Sequence, residues 1–188
     1  MKKKSFFWAI TTSILITISC KKEPQAINEE ELISTLIISL KKNSSLSIQN
    51  YIWNDTDGIG GIDATVDSII IDKDAEYNAY ILLLNTHKTP TDTISNEVLA
   101  EGTTHQFFYQ STPASALSNF QYQTPNDADG NPIGINFRFE TIDASNTGFL
   151  KIILRHQPNK LGSGVSSGDI TNAQGETDIE IEFPFRIQ

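Results

Sequence analysis

From Asp178 to Ile187 the chain reads DIEIEFPFRI, which sets Ile179, Ile181, Phe183, Phe185 and Ile187 against Asp178, Glu180, Glu182 and Arg186. Alternation at period two over ten residues predicts a strand with one face buried and one in water. Pro184 lacks the N–H a ladder needs, so it predicts an edge or a bulge at that point. INFRFET repeats the pattern with Ile135, Phe137 and Phe139 inward, and FLKIILRH repeats it with Leu150, Ile152 and Leu154 inward. The connection between these two, DASNTG, is rich in turn formers and predicts a hairpin. Arg138, Lys151 and Arg155 would then face Asp178, Glu180 and Glu182 across the outer surface, each pair adding a few tenths of a kcal/mol.

SIQNYIW, VDSIIID, NAYILLLN and HQFFYQ read as four further strands bounded by Gly, Asp, Asn or Pro, and NFQYQ before Pro125 as another. NEEELISTLIISLKK is ambiguous. Asn28 and Glu31 have the placing of a helix cap, and Leu32, Ile33, Leu36, Ile37 and Leu40 share a helical face. The β-branched run ISTLIIS favours a strand, which is the assignment made here. TISNEVLAEG, with Gly102 as a stop, predicts a short helix. Together these elements predict an all-β protein: a single β-sandwich of Ig-like or fibronectin-type topology, about seven to nine strands, with at most short helices.

The N-terminus follows a different logic. Lys2, Lys3 and Lys4 precede a mostly apolar run from Phe6 to Ile18, and Ser19 and then Cys20 follow, the only cysteine of the 188 residues. A run this short, broken by Thr11, Thr12, Ser13 and Thr17, falls below the roughly 20 apolar residues that span a bilayer, and has the layout of an export signal. A cysteine directly after a small residue resembles the lipobox of bacterial lipoproteins, with Thr17 standing where an aliphatic residue is usual. The resemblance implies cleavage before Cys20 and fatty acylation of its sulfur. Residues 1–19 are thus read as a lipoprotein signal peptide, 20–30 as the lipidated cysteine and a polar tether, and 31–188 as the sandwich domain. Loss of the leader leaves 11 basic against 23 acidic residues, a net charge of −12. Such a surface repels phosphate backbones and excludes nucleic acid as a partner class, while favouring cations and basic proteins. With Cys20 acylated, no disulfide is possible and the fold must rest on its core.

Two acidic turns have the residue types of calcium loops: NDTDGIGG, with Asn54, Asp55 and Asp57, and NDADGN, with Asp127, Asp129 and Asn131 beside Asn126. Calcium takes about six to eight oxygens, commonly from carboxylates one residue apart and then a glycine. Where an EF-hand would place its bidentate glutamate, these turns have Val66 and Arg138, and Asp-Gly also simply makes turns. DKDAE, with Asp72, Asp74 and Glu76, lacks the glycine. No cofactor is expected, with calcium at the acidic loops as the alternative. His87, His105 and His156 stand at no spacing typical of zinc. They read as packed or strand-end residues, with a zinc or haem site assembled by the tertiary fold as the open alternative. GxSxG is absent, and GSGVSSGD lacks GK[ST], so neither an activated serine nor a phosphate loop is indicated and no catalytic residue is assigned. QPNKLGSGVSSGDITNAQG, residues 157–175, joins two strands by an uncommonly long connection, which reads either as a partner contact or as a flexible excursion.

EGTTHQFFYQ, LRHQPNK, GDITNAQGETDIEIEF and NDTDGIGG resemble a family of small Bacteroidota lipoproteins often encoded near TonB-dependent outer-membrane receptors. The likeness runs from Glu29 to the end of the chain. It implies an outer-membrane, lipid-anchored location and a part in capturing or passing a nutrient, with a TonB-dependent receptor or another envelope protein as partner, and it supplies no catalytic residues. The expected function is a non-enzymatic, lipid-anchored binding or interaction module with the 157–175 loop as its contact. The alternative is a calcium- or other metal-binding lipoprotein using the acidic loops.

Overall fold

The computed structural model describes residues 32–58, 61–142 and 147–188. The leader, Cys20 and the tether lie outside the described residues. Ten strands form two sheets. In chain order they are β1 (Thr35–Lys42), β2 (Gln49–Asn54), β3 (Thr65–Val66), β4 (Ile69–Ile71), β5 (Glu76–Leu84), β6 (His105–Thr112), β7 (Leu117–Gln123), β8 (Asn136–Thr141), β9 (Thr147–His156) and β10 (Glu176–Ile187), with one helix, α1 (Ile94–Ala100), between β5 and β6. One sheet has the order β3-β2-β1-β5-β8-β7 and the other β4-β10-β9-β6. The all-β sandwich expected from period-two patterning is present, and VDSIIID supplies two very short strands rather than one.

Alternation explains the core. Leu36, Ile38 and Leu40 of β1, Tyr77, Ala79, Ile81 and Leu83 of β5, and Phe137 and Phe139 of β8 meet Phe107, Tyr109, Leu150, Ile152, Leu154, Ile181, Phe183 and Phe185 of the opposite sheet in one buried cluster. Face-to-face sheets interdigitate in this way because each buries one side of its pleat. Aromatic stacking adds specificity in the middle, where Tyr109 and Phe137 lie 3.6 Å apart between ring centroids. The hydroxyl of Tyr109 donates to the Gly134 carbonyl at 2.5 Å, and burial pushes its pKa well above the ordinary tyrosine value. The ambiguous segment forms strand β1 over Thr35–Lys42, pairing β2 on one side and β5 on the other through both backbone edges, which a helix could not do. TISNEVLAEG forms α1 as expected, with Gly102 opening a single 3-10 turn after it.

Two sequence expectations are corrected. DASNTG does not close a hairpin: β8 pairs with β5 and β7, β9 pairs with β6 and β10, and the connection crosses from one sheet to the other. Arg138 therefore lies in the sheet opposite Asp178, Glu180 and Glu182. Its guanidinium reaches Glu76 at 2.8 Å and Gln121 at 2.9 Å instead. Lys151 does pair across the outer face, with Glu180 at 2.5 Å and Glu182 at 3.2 Å, and Arg155 donates to Thr177 at 2.7 Å. Pro184 sits in β10 with Phe149 as its partner on β9, just before the three residues, Phe185–Ile187, that pair with β4. The bulge of that strand lies elsewhere, at Asp178.

Candidate functional site

Strand register builds the site. Pairing of β6 with β9 puts His105 directly opposite His156. Both continue the inward face of their strands, His105 two residues before Phe107 and His156 two after Leu154. The two rings stack with centroids 4.8 Å apart and planes within 8°. On the other side of β9, Thr177 pairs with Arg155 and Ile179 with Leu154, so Asp178 is the extra residue of a β-bulge. A bulge breaks the alternation and re-aims one side chain. Without it Asp178 would join Glu180 and Glu182 on the outer face. With it, one carboxylate oxygen lies 3.7 Å from Nε2 of His105 and the other 3.8 Å from Nδ1 of His156. The His105 side chain is 5% exposed and that of Asp178 15%.

A second ring of contacts fixes His105. Its Nδ1 lies 3.1 Å from the carbonyl of Glu101, at the end of α1. A carbonyl only accepts, so Nδ1 carries the proton and Nε2 is turned toward Asp178. Helix α1 roofs the site. Between it and the sandwich lies a cleft of about 390 Å³, with Ile33, Ile94, Val98 and Leu154 as its apolar lining and Lys88, Glu97, Glu101, His105 and Asp178 as its polar lining. The Lys88 ammonium binds Asp92 at 2.7 Å. The lining is predominantly polar, with four apolar side chains against five polar ones, and convergent charged groups in a concave site are a usual feature of ligand binding.

The acidic loops are otherwise engaged. Asn54 accepts from the Thr35 hydroxyl at 2.7 Å, Asp55 from the amides of Asp57 and Gly58, and Asp57 from the amide of Ile62. In the second loop Asp127 accepts from the amides of Asp129 and Asn131, while the amide nitrogen of Asn126 donates to the Gly130 carbonyl. The other oxygen of Asp127 meets the ammonium of Lys160 at 2.9 Å, with both side chains almost wholly buried. Lys160 thus stands where a cation would have to be. Among the described residues, the group of histidine, cysteine, aspartate and glutamate side chains with ligand atoms close enough to share an ion is His105, His156 and Asp178. His87, by contrast, lies in the exposed turn after β5, its amide bonded to Asn85.

The 157–175 connection is not an excursion into solvent. It folds through two 3-10 turns, Val165–Ser167 and Ile170–Asn172. Gly164 and Gly168 flank the first at φ of 82° and 96°, where a side chain would be strained. Val165 and Ala173 are buried against Phe108 and Ile153 on the outer face of the four-stranded sheet, forming a second small core. The side-chain amide of Gln106 donates to the Val165 carbonyl at 2.8 Å, and Lys160 ties the start of the loop to the Gly102 and Pro132 carbonyls.

Sequence reasoning placed His105 and His156 at strand ends, as found, but nothing in the spacing of 51 residues signals that they meet. Asp178 was assigned to the solvent face because alternation was carried through the bulge. No local signal marks the bulge, since Glu176, Asp178, Glu180 and Glu182 keep one register along the sequence. No protein-family model matches the chain, and no curated protein or solved structure matches it either.

Proposed function

We propose that this protein is a non-enzymatic, lipid-anchored binding module of the bacterial outer membrane, and that the cleft under α1 holds a small cation-bearing solute for an envelope receptor. The observation that carries the reading is the cleft itself, which gathers three carboxylates, those of Glu97, Glu101 and Asp178, and one ammonium, that of Lys88, beside the apolar side chains of Ile33, Ile94, Val98 and Leu154. A net negative charge gathered in a cleft concentrates counter-charged solutes. Ile33 ties the cleft to the membrane end of the chain. Twelve residues separate it from Cys20, thirteen steps of chain with a reach of at most about 45 Å when fully extended. No helix of the described residues is long and apolar enough to span a bilayer, and an acylated Cys20 would supply the attachment. Each buried methylene of such chains contributes about 0.8 kcal/mol.

Two measurements test this. Mass spectrometry of protein extracted from native membranes should give an N-terminal peptide starting at an acylated Cys20; an unmodified thiol or a retained leader overturns the anchor. A thermal-melting panel of polyamines, amino sugars and basic amino acids should raise the midpoint of the wild type with at least one class. Glu101→Lys should abolish that rise without lowering the ligand-free midpoint by more than a few degrees. A flat panel for the wild type removes the cleft as an organic-cation site.

A further inference from the structure

We infer that His105, His156 and Asp178 form a binding site for a divalent transition metal of the zinc class, with one coordination position left open toward the cleft. The inference deepens the reading of the cleft as a binding site and does not depend on the lipid anchor. Its basis is geometry. The three ligand atoms all lie within 4.8 Å of one another, and the carboxylate sits across both rings at 3.7 and 3.8 Å. Tetrahedral zinc with bonds of about 2.0–2.1 Å holds its ligand atoms about 3.3–3.4 Å apart. Each imidazole is within a few tenths of an ångström of that distance from one of the two carboxylate oxygens, and separations of up to 4.8 Å among the three ligand atoms must close by up to about 1.4 Å. The rings, now parallel, must also turn so that their lone pairs converge. That turn runs about the broad terminal torsion of histidine, which has no sharp staggered wells.

The surroundings have the features of a ligand shell. His105 donates its Nδ1–H to the Glu101 carbonyl, the arrangement that fixes the tautomer of a metal-binding imidazole and leaves Nε2 as the ligand. The Thr104 hydroxyl donates to the same carbonyl at 2.9 Å and holds it in place. His105 and His156 are a paired position of β6 and β9, and Asp178 is a bulge residue between two paired positions of β10, so most of the adjustment falls on side chains. Two imidazoles and one carboxylate suit zinc and its neighbours better than calcium or magnesium, which prefer oxygen. Three protein ligands leave a fourth position for water or a ligand donor. Because His105 and Asp178 line the cleft, that position opens into it, and Glu97 and Glu101 add negative charge near the ion.

The test uses the mature full-length protein in detergent, stripped with a chelator and titrated with zinc chloride by calorimetry. One ion per chain should bind. At about a hundredfold excess over the dissociation constant the melting midpoint should rise by roughly 5–10 °C, and cobalt should give the visible absorption of a four-coordinate centre. His156→Gln and Asp178→Asn should each weaken binding at least tenfold while keeping the metal-free midpoint near that of the wild type. Glu101→Lys, which removes the organic-cation response, should still bind zinc through the three ligands. Absence of zinc binding by the wild type, or binding unchanged in the His156→Gln/Asp178→Asn double variant, overturns the site. Zinc binding with a flat organic panel would keep the metal site and discard the organic-cation reading.

Discussion

Replacing Lys160 with methionine should lower stability by about 3–5 kcal/mol, the usual effect of removing one partner from a buried ion pair. The ammonium uses its three N–H donors on the Gly102 carbonyl, the Pro132 carbonyl at 3.1 Å and the Asp127 carboxylate at 2.9 Å. Methionine fills similar volume but leaves two carbonyls and a charge buried without that partner. For a domain of this size the melting midpoint should fall by roughly 10 °C. Adding Asp127→Asn to Lys160→Met should recover part of the loss. Asparagine keeps an oxygen for the amides of Asp129 and Asn131 and carries no charge, so the two substitutions should be far from additive.

The same pair predicts an acid dependence. Burial raises the Asp127 pKa, but the hydrogen bond from Lys160 and those from the amides of Asn131 and Asp129 outweigh it, and the net value is below the ordinary carboxylate range. A carboxylate with a lowered folded-state pKa stabilises above its unfolded value and loses that stabilisation as the pH falls through the folded one. The stability gap between wild type and Lys160→Met should therefore narrow below about pH 4. Urea denaturation at pH 7 and pH 3 measures it. A gap independent of pH would show that Lys160 acts through packing and its two carbonyl bonds and not through Asp127.

Phe108→Ala should have an effect of similar size, about 3–5 kcal/mol, though Phe108 points away from the main core. It is wholly buried on the outer face of the four-stranded sheet, under Val165 and Ala173 and beside Ile153. Truncation removes the floor on which the 157–175 loop rests. The loss should be accompanied by faster proteolysis within that loop, where Leu161 already stands 86% exposed. Leu46→Ala, at a position 95% exposed in the turn after β1, should change the midpoint by less than a degree or two. If Phe108→Ala left both midpoint and cleavage rate unchanged, the loop would not be held by this second core. The packing also means that excising the loop would uncover Phe108 and Ile153, so a deletion cannot isolate a contact role for it. Point substitutions at Leu161 or Ser166 are the suitable probes, since both side chains face solvent.

The amino-acid sequence by itself determined the class of fold. Alternation in DIEIEFPFRI, INFRFET and FLKIILRH satisfies backbone and side chains together as half-buried strands, the β-branched run of residues 33–39 tipped an ambiguous segment the same way, and α1 stood out by its helical composition. It also determined the leader pattern and the acidic surface, which depend on composition and order alone. Which strands adjoin was decided by the tertiary structure: DASNTG has the residues of a hairpin, yet β8 already has β5 and β7 on its edges. The same holds for the site. His105 and His156 meet because of register between β6 and β9, and Asp178 joins them because a single inserted residue turns it from water to the interior. Alternation fixes which way a side chain points only until a bulge intervenes, and the neighbours it then meets are set by pairing across 22 and 51 residues of chain that carry no local record of it.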